Sequence, residues 1–218
     1  MRVHSIFNSI DGEVNCHGQG TFTTFVRTSG CNLRCRWCDT KYAFDRSPAM
    51  HLDVILNKLE EIGCPKVTIT GGEPLMQGNY FVDAVEAIAD AGYSITVETN
   101  GTFPIVVDHL IDGWIMDYKL PSANVNDTLT KDRHFMDLHP QDFIKFVIRD
   151  HDDFVEAGKV IQRFERIGVT AQYAMSPLMD CPGSVDAREL ITWMKESYMW
   201  EVKFNAQIHK LLNLKEDS

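Results

Sequence analysis

Short apolar runs alternate with longer amphipathic runs along most of the chain. The short runs are rich in β-branched and aromatic residues, which is typical of strands. The predicted strands cover residues 21–29, 66–70, 93–98, 114–119, 143–148, 169–175 and 200–205. The longer runs carry apolar residues three and four positions apart, which predicts helices with one buried face. The predicted helices cover residues 51–63, 79–92, 152–168 and 184–197, and Ser184 can cap the last one.

This alternation of strands and helices predicts an α/β fold. Strands that are joined through helices pair in parallel by right-handed crossovers. A closed barrel of this kind has eight strands. The smaller number predicted here indicates an incomplete, open (β/α) barrel of about six parallel strands. A chain of 218 residues can form one substantial core without a second domain, so residues 1–218 are expected to form a single domain.

Conspicuous motifs follow four successive predicted strands. A group of cysteines follows the first strand, and the sequences GGEPL, TNG and KLPSA follow the next three. In parallel sheets the reactive groups collect on loops beyond the carboxyl ends of the strands. The sequence therefore predicts one functional site at that edge of the sheet.

Charge and composition restrict the class of protein. The formal net charge of -10 argues against the clustered basic surface that nucleic acids require. The N-terminal residues lack the apolar core of a signal peptide, and no stretch approaches the roughly 20 apolar residues that span a bilayer. We therefore expect a cytoplasmic protein that acts on a small molecule and has no nucleic-acid or membrane partner.

Three of the six cysteines crowd into the segment GCNLRCRWCDT. Cys31, Cys35 and Cys38 have the spacing C-x3-C-x2-C. Thiolates suit zinc and iron–sulfur clusters, and structural zinc normally takes four protein ligands. The candidates for a fourth zinc ligand, none at conventional spacing, are Cys16, His17, Cys64 and Cys181. A [4Fe-4S] cluster can instead be held by three thiolates with one iron left open. On spacing alone, a cluster, a zinc site, a reactive thiol and a chance group of core cysteines remain as alternatives.

The cysteine loop and the sequence TGGEP at 70–74 together resemble the signature of the radical S-adenosylmethionine (SAM) enzymes. Within that superfamily the chain is similar to the 7-carboxy-7-deazaguanine synthase family. The similar segments are SIDGE (9–13), FVRTSGCNLRCRWCDTKYAF (25–44), VETNGT (97–102), DYKLPSA (117–123) and QIHK (207–210). The resemblance implies one radical SAM domain. It also implies a lyase that converts 6-carboxy-5,6,7,8-tetrahydropterin to 7-carboxy-7-deazaguanine with loss of ammonia, in the biosynthesis of queuosine and other 7-deazapurines.

The same resemblance implies the cofactors and the residues that bind them. Cys31, Cys35 and Cys38 would hold a [4Fe-4S] cluster whose open iron takes SAM. The residues implied in SAM binding are Trp37, Cys38, Asp39, Gly72, Glu73, Ser122, Ser176, Pro177, Leu178 and Met179. The family also uses Mg²⁺, a hard cation that prefers oxygen ligands, and Thr40 matches its Mg²⁺ residue.

Substrate contacts are implied by the same comparison, and no separate catalytic residue is. The implied substrate residues are Ile10, Asp11, Gly12, Glu13, Arg27, Thr70, Gln207 and His209. The planar guanidinium of Arg27 suits the substrate carboxylate. Two departures bear on ring recognition, because Asp11 and Val14 stand where the family commonly has glutamine and glycine. The segment between Glu13 and Arg27 is also longer than in the family, and no role is carried over to the tail after Lys210.

The resemblance implies two partners, a flavodoxin- or ferredoxin-type reductant and a second copy of the chain in a homodimer. The nearest alternative is a glycyl-radical-enzyme activase of the same superfamily, although SIDGE and QIHK, which match pterin recognition, argue against it. A zinc-stabilised binding module is the alternative from another class, and it would need a fourth ligand. A member that binds the cluster without turnover is a third alternative, although every cysteine and GGE position is filled.

Overall fold

One sheet of eight strands organises the computed structural model, which describes residues 1–125, 132–179 and 181–214. The strands are β1 (Val3–Ile10), β2 (Phe22–Thr28), β3 (Lys66–Gly71), β4 (Ser94–Thr99), β5 (Gly113–Asp117), β6 (Phe143–Ile148), β7 (Gln172–Pro177) and β8 (Lys203–Phe204). They lie in the sheet in chain order. β1 pairs antiparallel with β2, and each later pair of neighbours is parallel.

The predicted open α/β sheet is confirmed, and the strand count needs correction. Within the described residues β1 and β8 each pair with one strand only, so the sheet does not close. Each predicted strand region contains one observed parallel strand, although β8 has only two residues. β1 was missed because its sequence, VHSIFNSI, mixes apolar and polar residues without a clear buried face, and its pairing is antiparallel.

Helices cover one face of the sheet. They are α1 (Leu52–Ile62), α2 (Asn79–Asp90), α3 (His151–Ile167) and α4 (Ala187–Glu196), and a further short helix, α5 (Ile208–Leu211), follows β8. The first four match the predicted helices, and α5 was not predicted. In the described parts of the chain no helix is long and apolar enough to cross a bilayer.

The predicted cap of α4 is wrong. Asp186, not Ser184, caps this helix, and its carboxylate accepts hydrogen bonds from the backbone N–H groups of Arg188 and Glu189 at 2.8 and 2.9 Å. The preceding Val185 is buried, and its N–H donates to the carbonyl of Arg149 at 2.7 Å. Because this contact holds the chain at Val185, the helix begins only at Ala187.

Side-chain alternation gives the parallel strands one apolar and one polar face. The face under the helices carries fully buried apolar residues, namely Ile69, Val97, Met116, Phe146 and Met175. The opposite face carries polar residues of the same strands, namely Thr68, Thr70, Thr96, Glu98, Asp117, Lys145 and Ser176. The sheet therefore builds its hydrophobic core on one side and a polar interior on the other.

Candidate functional site

The carboxyl ends of the parallel strands surround a cleft with about 1250 Å³ of empty space, part of which is open to solvent. The cysteine loop follows β2, and residues after β3, β4, β5 and β7 complete its wall. The predicted edge of the sheet is thus where the structure brings these groups together.

The three cysteines of the loop line this cleft and are each partly buried. Burial raises the pKa of all three thiols. The Cys31 sulfur accepts a hydrogen bond from the backbone N–H of Leu33 at 3.4 Å. The N–H of Arg36 donates to the carbonyl of Ala123 at 2.9 Å, which ties the middle of the loop to the segment after β5.

A close backbone approach fixes the start of the cysteine loop. Gly72 lines the cleft, and a Cβ atom added to it would lie 2.1 Å from the Gly30 carbonyl oxygen. The N–H of Glu73 donates to that same oxygen at 2.9 Å. Only a residue without a side chain fits here, so Gly72 has a structural role beside its predicted contact with SAM.

The donor set fits an iron–sulfur cluster. Three soft sulfur ligands lie on one wall of the cleft, and one of them already accepts hydrogen bonds. In the described part of the chain no three Cys, His, Asp or Glu side chains converge closely enough to hold a single metal ion. A cubane binds its cysteines through different irons, so it does not need the sulfurs to converge on one point.

The predicted substrate segment after β1 forms the opposite wall. Ile10, Asp11, Gly12 and Glu13 all line the cleft. The Asp11 carboxylate accepts hydrogen bonds from the Glu13 N–H at 3.2 Å and from the Thr68 hydroxyl at 3.1 Å. Burial raises the pKa of Asp11 to about 6, although these two hydrogen bonds lower it.

Arg27 and Thr70 complete the wall from β2 and β3. The Arg27 side chain is only 7% exposed, and its guanidinium carbon lies 5.6 and 5.9 Å from the ring centres of Phe7 and Tyr42. These aromatic faces hold the cation on the cleft wall. Thr70 is also buried, and its hydroxyl donates to the Glu98 carboxylate at 2.8 Å.

A network of buried charges lies at the floor of the cleft, and of its members only Glu13 had a role predicted from the sequence. The Lys145 ammonium lies 3.3 Å from the Glu13 carboxylate and 3.6 Å from that of Asp117, which also pairs with Lys119 at 3.0 Å. Burial alone would lower the pKa of Lys145, but the Asp117 and Glu13 carboxylates raise it above its ordinary value. Lys145 is therefore a fixed positive charge inside the sheet.

Glu98 is a second unpredicted group of the cleft wall. Burial raises the pKa of its carboxyl to about 7, more than the nearby Lys145 ammonium lowers it. Its signal in the sequence is the alternation of ITVET, which places Glu98 on the opposite face from the buried Val97. The same signal was available for Asp117 and Lys145.

The C-terminal segment closes one side of the cleft. Gln207 and His209 line it as predicted, and the Gln207 amide donates to the Glu13 carboxylate at 2.8 Å. A Cβ atom on Gly12 would lie 2.1 Å from Nδ1 of His209, so a glycine is needed where the two segments cross. Lys210, whose role was not predicted, forms an ion pair with Asp39 at 2.6 Å.

Of the remaining predicted cofactor residues, some line the cleft and others stand behind it. Trp37, Asp39, Thr40 and Leu178 line it directly. The residues outside the lining are Glu73, Ser122, Ser176, Pro177 and Met179. Ser122 supports the wall because its hydroxyl accepts a hydrogen bond from the Trp37 indole at 3.2 Å. Ser176 is fully buried, and its hydroxyl accepts from the Asn205 amide at 2.9 Å.

Glu73 is completely buried behind the cleft wall. Its carboxylate accepts hydrogen bonds from the Leu75 N–H at 3.0 Å, the Thr99 hydroxyl at 2.7 Å and the Asn100 N–H at 2.8 Å. Burial raises its pKa to about 6 against the effect of these donors. In this structure the carboxylate joins the loops after β3 and β4, and its predicted contact with SAM stays a prediction.

Comparison with known proteins gives consistent matches along the chain. A model of the radical SAM superfamily matches residues 25–169. The chain is similar to the 7-carboxy-7-deazaguanine synthase of Clostridium acetobutylicum, with 32% identity over 94% of this chain and 93% of the relative. It is also similar to the synthase of that name from Thermoplasma acidophilum, with 38% identity over 75% of this chain and 78% of the relative.

Solved structures show the same fold. The crystal structure of QueE from Escherichia coli matches with a TM-score of 0.73 and 18% identity, covering 94% of this chain and 93% of that one. A radical SAM methyltransferase from Sphaerobacter thermophilus matches with a TM-score of 0.59 and 15% identity, covering 84% of this chain and 66% of that one.

The raised pKa of Glu98 predicts a pH-dependent effect of the substitution Glu98→Gln. Between the ordinary carboxyl pKa of 4.5 and about pH 7, the folded chain holds the Glu98 proton and the unfolded chain releases it. The free energy of unfolding therefore falls as the pH rises through this window. Glutamine removes this loss. We expect the difference in free energy of unfolding, variant minus unsubstituted chain, to be larger at about pH 8 than at about pH 5.

Urea unfolding of the full chain at both pH values measures this difference. Glu60→Gln is a matched control, because Glu60 lies exposed on α1 and its carboxylate stays in water. An equal effect of Glu98→Gln at the two pH values would contradict the assigned protonation of Glu98.

Proposed function

The chain belongs to the radical SAM superfamily and, within it, to the 7-carboxy-7-deazaguanine synthase family, and from this premise we propose its reaction. The proposed substrate is 6-carboxy-5,6,7,8-tetrahydropterin, and the products are 7-carboxy-7-deazaguanine and ammonia. The enzyme is thus a carbon–nitrogen lyase that serves queuosine and 7-deazapurine biosynthesis. Family membership favours this reaction over the activase and the zinc-module alternatives.

One observation carries the proposal. The three cysteines that suit a cluster line the same cleft as the polar groups that suit a carboxylated pterin. A radical reaction needs this arrangement, because the hydrogen donor must lie beside the site where the radical forms. Gln207 and His209 reach this cleft from the other end of the sequence, so no local motif accounts for their meeting with the cysteines.

The residues of the cysteine loop would hold the cofactors. Cys31, Cys35 and Cys38 would hold a [4Fe-4S] cluster, which would supply the electron for reductive cleavage of SAM. Gly72 allows the backbone to approach the SAM amino group closely. Trp37, held by Ser122, offers a planar face for the adenine ring. Ser176 and Pro177 end β7, Leu178 and Met179 follow it, and Leu178 reaches the cleft.

The opposite wall would hold the pterin. Arg27, held beside two aromatic rings, pairs with the substrate carboxylate. Asp11 and Glu13 accept hydrogen bonds from the amino and amide edge of the ring, and Gln207 and His209 cover it from the C-terminal segment. Thr70 presents its hydroxyl together with the Glu98 carboxyl. With its pKa near 7, Glu98 can hold or give up a proton as nitrogen leaves the ring.

Mg²⁺ would bind at the end of the cysteine loop. The Thr40 hydroxyl lies on the cleft wall and donates to the Asp39 carboxylate at 3.0 Å, so two oxygen groups stand together. Mg²⁺ takes few protein ligands and completes its octahedron with water and substrate oxygens. The substrate carboxylate would supply such an oxygen.

The remaining parts of the proposal concern partners and location. A flavodoxin- or ferredoxin-type protein supplies the electron for SAM cleavage, and the enzyme acts as a homodimer in the cytoplasm. These assignments come from the resemblance of the chain to its family and from its composition. They stay predictions, as does the assignment of residues 1–218 to one radical SAM domain.

The first prediction of this proposal concerns the reaction itself. The anaerobically reconstituted chain should hold about four irons. It should cleave SAM in the presence of dithionite and convert 6-carboxytetrahydropterin to the deazaguanine product, followed by mass spectrometry. A triple Cys31, Cys35 and Cys38→Ala variant is the control and should show neither activity. A preparation with one zinc and no iron would overturn the proposal.

The position of Arg27 predicts a selective loss of turnover. Arg27→Ala should lower kcat/KM for the carboxypterin at least about 30-fold, which corresponds to about 2 kcal/mol for a buried charge pair. SAM affinity, measured by equilibrium binding, should change far less. Arg27→Lys keeps the charge without the planar fork, so its kcat/KM for the carboxypterin should lie between those of Arg27→Ala and the unsubstituted chain.

Arg188→Ala is a suitable control for general effects, since Arg188 lies exposed on α4. Equal losses of SAM affinity and carboxypterin turnover in Arg27→Ala would speak against a contact with the substrate carboxylate.

The proposed Mg²⁺ site predicts a changed metal response. Thr40→Ala should shift the Mg²⁺ concentration needed for half-maximal turnover upward by roughly tenfold, because one oxygen ligand is lost. Thr40→Ser keeps the hydroxyl and should restore the response. A Mg²⁺ titration that is the same for Thr40→Ala and the unsubstituted chain would refute the assignment.

A further inference from the structure

An asparagine side chain reaches the sulfur of one cysteine in the loop. Asn100 follows β4 directly and is only 7% exposed. Its Nδ2 atom lies 3.8 Å from Sγ of Cys31, within hydrogen-bonding distance for sulfur, and 3.0 Å from Oδ1 of Asn32. An amide nitrogen carries two hydrogens, so it can donate to both acceptors at once.

The orientation of this amide is fixed by its neighbours. Oδ1 of Asn100 accepts hydrogen bonds from the Thr102 N–H at 3.1 Å and from the Thr102 hydroxyl at 2.6 Å. A backbone N–H can only donate, so a flipped amide would place two donors against each other. The Thr102 hydroxyl in turn accepts from the Asn32 amide at 2.9 Å, which completes a consistent ring of donors and acceptors. The N–H groups of Asn100 must therefore face the sulfur.

The backbone of Asn100 is also held in place. Its N–H donates to one oxygen of the buried Glu73 at 2.8 Å, and the Thr99 hydroxyl donates to the other at 2.7 Å. The N–H of Glu73 donates to the Gly30 carbonyl at the start of the cysteine loop. Glu73 thus connects the loop that carries Cys31 with the residue that contacts its sulfur.

We propose that Asn100 is a positioning residue that donates a hydrogen bond to the Cys31 thiolate and thereby raises the reduction potential of the cluster. A hydrogen bond to a cluster sulfur stabilises the reduced form more than the oxidised form, because the reduced cluster carries one more negative charge. The backbone N–H of Leu33 acts on the same sulfur at 3.4 Å. The fold therefore places two donors, one backbone and one side-chain, on the Cys31 sulfur.

This inference rests on the proposed function only in requiring the cluster, and it is tested without SAM or substrate. The measurement is a redox titration of the reconstituted full chain, followed by the electron paramagnetic resonance signal of the reduced cluster. For Asn100→Leu the ratio of reduced to oxidised cluster at a fixed ambient potential should fall roughly threefold to tenfold, the range for one hydrogen bond. Asn100→Ala should give the same shift and serves if the leucine does not fit.

Thr102→Val is the matched control. It removes a hydroxyl from the same ring of hydrogen bonds, but the Thr102 N–H that orients the Asn100 amide remains. The reduction potential of the cluster should be the same in Thr102→Val as in the unsubstituted chain. An unchanged potential in the Asn100 variants, or an equal shift in Thr102→Val, would overturn the inference while leaving the proposed function intact. Failure of the unsubstituted chain to take up iron would instead overturn the proposed function.

The contact between Asn100 and the cluster can also be tested directly on the unsubstituted chain. With asparagine labelled with ¹⁵N in its side-chain amide, pulsed resonance of the reduced cluster should detect a coupled nitrogen. The Asn32 amide nitrogen points instead to Thr102. A spectrum without such a coupling would contradict the proposed contact.

Discussion

The structure depends on the pairing of charges inside the polar face of its sheet. Lys145 extends from the middle of β6, where only 5% of it is exposed, and the carboxylates of Glu13 and Asp117 lie within 3.3 and 3.6 Å of its ammonium. Moving an ion out of water costs roughly several kcal/mol, and a buried ion without its partner is strongly destabilising. Glu13 comes from the segment after β1, the strand whose pairing is antiparallel. The segment after β1 is therefore needed to pair the charge of Lys145, which lies much later in the chain. The same segment carries Asp11 and Gly12 to the cleft.

The two faces of the sheet differ in chemistry, and each has its own role. On one face, apolar residues of β3 to β7 pack against helices and supply the hydrophobic free energy of folding. On the other face, threonines of neighbouring strands join in a row: the hydroxyls of Thr23, Thr68 and Thr96 lie 3.0 and 2.9 Å apart in succession. These hydroxyls satisfy each other and Asp11, so this row of polar side chains can remain buried. A closed barrel filled with branched apolar side chains would leave no such room, which explains why an open sheet suits a cleft for polar ligands.

Much of this fold could be predicted from local patterns, and the failures have physical causes. Helices α1 to α4 and the parallel strands were predicted because apolar periodicity and burial coincide there. β1 was missed because it lies at the edge of the sheet and only two of its eight residues are buried, so its pattern carries no clear period. The cap at Asp186 depends on the contact of Val185 with Arg149, which no local signal reveals. In the site, the cysteines and the GGE segment were visible as motifs. Lys145, Asp117 and Glu98 were not, although each interrupts an apolar strand at the period of two that marks the opposite face.

Contacts between distant segments explain why the motifs alone could not define the site. The cysteine loop is held by Gly30 against the loop after β3, by Arg36 against Ala123 after β5, and by Asp39 against Lys210 near the C-terminus. The C-terminal segment holds the other wall as well, through the hydrogen bond of Gln207 with Glu13. One short segment therefore sets the separation between the loop proposed to carry the cluster and the wall proposed to carry the pterin. A displacement of that segment alters both walls together, because the ion pair and the hydrogen bond lie within four residues of each other. The geometry that a radical reaction needs is consequently a property of the folded chain as a whole, whereas the choice of thiolates as ligands is a property of eight residues.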